Sequence, residues 1–168
     1  MDNDTIKGYL SVLMNAVADA VTGAEIIETE DGPVLLCAVK SPFGDDGEIN
    51  YQFEIEPLPD GMFIIEATIF LFSEVDKEKM PGINRLIAVL NNGFDIGAFR
   101  VYEEGDLVMF TQGMIFDEEL DAGLITETLG NTVSLMEETV AVKGDYIYRY
   151  LNGEELDKLV GEAREAEL

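Results

Sequence analysis

The run Ile49-Asn50-Tyr51-Gln52-Phe53-Glu54-Ile55-Glu56 alternates apolar and polar side chains without interruption. A period of two is that of a β-strand with one face buried and the other in water. Pro57-Leu58-Pro59-Asp60-Gly61 then turns the chain into residues 62–72. There Phe63, Ile65, Ala67, Ile69 and Leu71 share one face, and Ile64, Glu66, Thr68, Phe70 and Phe72 the other. This longer strand is expected at the centre of a sheet, antiparallel to its predecessor.

Upstream, residues 24–29 and 34–40 read as two short strands joined across Glu30-Asp31-Gly32-Pro33, the second of them apolar on both faces. Before them Ile6, Tyr9, Leu10, Leu13, Met14, Val17, Ala20 and Val21 recur at helical spacing, with Asn3 or Asp4 as N-cap and a stop at Gly23. Downstream, Asp76 and Pro81 open a second helix that turns Ile83, Leu86, Ile87 and Leu90 inward and stops at Asn91-Asn92-Gly93. A hairpin of residues 96–102 and 107–113 follows, turned by Glu103-Glu104-Gly105-Asp106.

Asp117 is the expected cap of a long helix that carries Leu120, Leu124, Ile125, Leu129, Val133, Met136 and Val140, with a kink or break near Gly144. After Gly153 the acidic segment 154–168 has only a weak stripe, Leu156, Leu159 and Val160, and is expected to fray as a helix. The sum is one α+β domain over residues 1–153, an antiparallel sheet with helices largely against one face, in the order α-β-β-β-β-α-β-β-α.

The chain has 168 residues and a net charge of −25, with 35 acidic and 10 basic side chains, yet 47% of it is hydrophobic. That apolar content places the acidity on the surface of a packed domain. Such a charge opposes nucleic acid and anionic membranes, and no apolar run approaches the roughly 18 residues of a membrane span. The start Met1-Asp2-Asn3-Asp4 is acidic where a secretory signal is basic, and the single Cys37 has no disulfide partner, so a cytoplasmic location is expected.

With no His and a single Cys, most nucleophile–base and transition-metal designs are missing. Glu103, Glu104 and Asp106 read as a solvated turn, and Asp117, Glu118 and Glu119 as charges favoured at a helix start. Asp45-Asp46-Gly47-Glu48 fails calcium-loop spacing, and Gly93-Phe94-Asp95-Ile96-Gly97 fails phosphate-loop spacing. No catalytic residue, metal or cofactor is expected. A carboxylate-dependent hydrolase, an acidic mimic of nucleic acid and a self-associating protein with no client are the alternatives.

The order of elements, with Ile83-Asn84-Arg85-Leu86, Leu90-Asn91-Asn92-Gly93, the strand Leu107-Val108-Met109-Phe110 and the long closing helix, resembles the YbjN-like family. That family shares its fold with the chaperones of bacterial type III secretion. The resemblance implies a small, acidic, cytoplasmic bacterial protein, a homodimer without catalytic residues, that binds a protein client or regulatory partner.

Phe70, Phe72, Phe99, Phe110, Tyr146 and Tyr150 are the candidate partner-binding residues. Phe70 and Phe72 fall on the mixed face of the central strand, and neither late strand can bury all its large side chains on one side. Tyr146 and Tyr150 share a helical face. An exposed apolar patch on a domain of this kind marks a partner site, served by a client strand at a sheet edge or an apolar helix in a groove.

Overall fold

The computed structural model describes residues 1–18, 21–43, 47–92, 96–102, 104 and 106–166. Ala20, Gly44, Asp45, Asp46, Gly93, Phe94, Asp95, Glu103, Gly105 and the last two residues of the acidic segment, which the sequence pattern assigns to a helix, loops and turns, lie outside them.

Among the described residues the chain forms α1 (Asn3–Val17), β1 (Gly23–Thr29), β2 (Gly32–Lys40), β3 (Glu48–Pro57), β4 (Met62–Phe72), α2 (Met80–Leu90), β5 (Ala98–Tyr102), β6 (Leu107–Asp117), α3 (Ala122–Leu151) and α4 (Leu156–Ala166). The six strands make one antiparallel sheet in the order β1-β2-β3-β4-β6-β5. The protein is therefore α+β.

The alternation in β3 and β4 sets which way the sheet faces. Ile49, Tyr51, Phe53 and Ile55 are buried beside Phe63, Ile65, Ala67, Ile69 and Leu71, and the helices cover this side. α1 reaches it through the Tyr9–Phe63 ring contact at 4.8 Å and the Lys7–Glu28 ion pair. α3 reaches it through the Tyr51 hydroxyl, which donates to Glu137 Oε1 at 3.3 Å. α2 and α4 pack on α3 and on each other.

The helix boundaries follow local hydrogen bonds rather than the nearest acidic residue. Asp2, not Asn3 or Asp4, caps α1, because its carboxylate accepts the Thr5 N–H at 2.8 Å. β6 runs on to Asp117, where β4 still offers Met62 as a partner. The start of α3 therefore moves to Asp121, whose carboxylate accepts the Gly123 N–H at 2.9 Å. α3 continues unbroken through Gly144, where a Cβ would stand 2.7 Å from the Phe43 ring, so this glycine serves close packing instead of a break.

The acidic segment does not fray over its described length. α4 buries Leu159, Val160 and Ala163. Arg149 of α3 anchors it, donating twice to Glu154 (2.8 and 2.7 Å) and once to Glu162 (2.8 Å). Lys158 adds a bond to Glu154 at 2.7 Å.

Candidate protein-binding surface

The six aromatics proposed from the sequence do not form one surface. Phe99 and Phe110 are 2% and 1% exposed and pack edge to face at 4.9 Å beneath the helices. As binding residues they are corrected: they belong to the core, because the β5–β6 register sets them side by side on the helix-covered face. Phe72 is displaced as well. The β4–β6 register shifts between Phe70 and Phe72, so Phe72 pairs with the buried Val108. Such an irregularity re-aims a strand's side chains. The Phe72 ring thus meets Phe43 at 5.1 Å and Tyr148 of α3 at 6.5 Å.

Tyr146 is half-buried, with the Arg149 guanidinium 5.7 Å from its ring centre. Tyr150 is half-buried against Gly82, where its ring fills the space a Cβ would need. Of the six, Phe70 alone stays on the far face of the sheet, opposite Met109.

Among the described residues no helix packs on that far face. Along it, cross-strand register sets Phe70 beside Met109, Thr68 beside Thr111, Glu66 beside Gly113 and Ile64 beside Ile115. Leu36, Ile64, Phe70 and Met109 are half-buried, and Ile115 is 62% exposed. Thr111 is buried here, and its hydroxyl has no hydrogen-bond partner. The sequence pattern does not reveal Ile115, because it ends the strand at Gly113. The only signal was the apolar pair Met114-Ile115 beyond Gly113, which fits a strand and a helix start equally well.

The two sheet edges differ. β5 presents the N–H and C=O of Phe99 to the side chain of Asn91, which accepts one and donates to the other, both at 2.9 Å. Among the described residues β1, at the other end of the strand order, pairs only with β2.

A cleft of about 400 Å³ opens on the helix side, between Val39, Ile49 and Tyr51 of the sheet and Glu137, Glu138, Val140 and Ala141 of α3. Burial, reinforced by the neighbouring Glu137 carboxylate, pushes the Tyr51 phenol well above the usual tyrosine range and keeps it protonated. Burial likewise pushes the Cys37 thiol up to about 11, which leaves it unreactive. Among the described residues no group of three or more Cys, Asp or Glu side chains is placed to hold a metal ion, and no helix is long and apolar enough to cross a membrane.

No protein-family model matches the chain, and comparison with curated proteins finds no match.

Proposed function

We propose that the chain is a non-enzymatic protein-binding module, a chaperone-like or regulatory adaptor of the YbjN-like, secretion chaperone-like kind, acting in the cytoplasm. The observation that carries this reading is the helix-free sheet face with Ile64, Phe70, Met109 and the 62% exposed Ile115 grouped on it. Apolar side chains gathered on one uncovered face gain from burial against another protein. The acidic surface speeds encounter with basic partners and turns acidic ones away.

A photo-crosslinking residue at position 115 tests the reading in cells, with one at position 165 on α4 as the control. A discrete polypeptide joined at 115 and absent at 165 is the expected result. Adducts at neither position remove the reading.

A homodimer accompanies it, supported by a separate feature. Leu124, Leu135 and Val142 are exposed, and their spacing returns them to one line of a helix with about 3.6 residues per turn. That line lies off the buried stripe of Ile125, Leu129, Met136 and Val140 on α3. Sedimentation of the wild-type chain as a dimer, and of Leu135→Glu as a monomer, is expected.

A further inference from the structure

On the open face an acidic pair stands between two apolar cross-strand pairs, Ile64–Ile115 and Phe70–Met109, with Glu56 beside the first and Arg100 beside the second. The register of β3 and β4 sets Glu54 directly opposite Glu66, and both are exposed. Like charges so placed on neighbouring strands destabilise a sheet. On the other side of Glu66 stands Gly113, which has no side chain to come between. The Gln52 amide donates to Glu54. Among the described residues no side-chain hydrogen bond or ion pair reaches the Glu66 carboxylate.

The basic residues of this face stand elsewhere. Lys40 is at the end of β2 opposite Glu48, and Arg100 is on β5 opposite Met109. The acidic row has the Ile64–Ile115 pair on one side. On the other, beyond Thr68 and Thr111, lies the Phe70–Met109 pair.

We propose that this face docks a cationic amphipathic helix of a partner protein, with basic side chains against Glu54 and Glu66 and apolar ones against Ile64, Ile115 and Phe70. The inference rests on the protein-binding reading and names its surface and the chemistry of its partner. A helix fits because the strands' backbone groups are spent on the ladder inside the sheet. An extended segment laid on the face would find no backbone partners there, whereas a helix satisfies its own. A cation fits because Glu54 and Glu66 repel each other until a positive group sits between them.

The test titrates a leucine–lysine peptide, patterned as an amphipathic helix, into the full chain at low salt. The double variant Glu54→Gln/Glu66→Gln is expected to bind about tenfold more weakly and to melt at a higher temperature than the wild type. Ile115→Ser is expected to weaken binding without that rise. Glu155→Gln/Glu165→Gln removes the same charge from around α4, away from this sheet face, and is expected to bind as the wild type does.

Equal losses in the two double variants, or a loss in neither, overturn the assignment. So does a magnesium-induced rise in the wild-type melting temperature that matches the effect of the Glu54 and Glu66 substitutions, since the pair would then be a cation site. If the peptide result fails while the crosslink from position 115 persists, protein binding stands and only the partner's chemistry falls.

Discussion

Asn91 pairs its amide with the N–H and C=O of one residue of β5, Phe99, much as a neighbouring strand would, which covers the middle of that edge. Asn91→Ala is expected to lower stability by about 1–2 kcal/mol in urea unfolding, and Asn91→Asp, which keeps the acceptor alone, by less. The sequence marked Asn91 as a helix stop. It does cap α2, but with right-handed backbone angles, and its partner lies on a strand whose docking the local sequence does not encode. Phe99 and Phe110 were hidden in the same way. Ala98 and Phe99, or Met109 and Phe110, satisfy a period of two whichever of each pair faces inward, and only pairing with a strand of known orientation chooses.

At the scale of elements, α3 and α4 show glycine and charge working in opposite senses to the first expectation. Gly130 has nothing within 4 Å of where a Cβ would sit, so Gly130→Ala gains the helix propensity of about 1 kcal/mol. Gly144→Ala is expected to fall short of that gain, because the Phe43 ring must then move from its contacts with Phe72 and Tyr148. Thermal unfolding of the two variants compares them directly, and equal gains would show that Phe43 is not seated against α3.

The hold on α4 depends on pH. Hydrogen bonds from Arg149 and then Lys158 lower the Glu154 carboxyl from 4.5 to about 2. A depressed folded-state pKa stabilises fully above the unfolded value and loses that contribution as pH falls through the folded one. The Glu154 part of the hold on α4 is therefore fully present at neutral pH and lost as pH falls from 4.5 to about 2, which loosens α4 in that window. Pepsin cleavage within α4 across that window, ahead of cleavage in α2, is the expected result. The weak stripe was legible in the sequence, but the Arg149 anchor that makes it sufficient comes from α3.

For the whole molecule the net charge of −25 dominates. Self-repulsion of that size opposes the compact state, and salt relieves it. The melting temperature is expected to rise as salt passes about 0.1 M, where the Debye length falls to about 10 Å. A melting temperature unmoved by salt would mean that the surface charges are too far apart to matter.

Alternation and helical spacing, read along the chain, determined the strands, the helices and the α+β class, because those periods are local consequences of backbone geometry. The apolar face of β3 and β4 was decided there too, since a slip of one residue would turn every side chain over. Tertiary structure alone decided which sheet face the helices leave open, that Phe72 crosses to the covered side and that Glu54 faces Glu66. Those outcomes depend on register between segments far apart in sequence, and no local period carries that information.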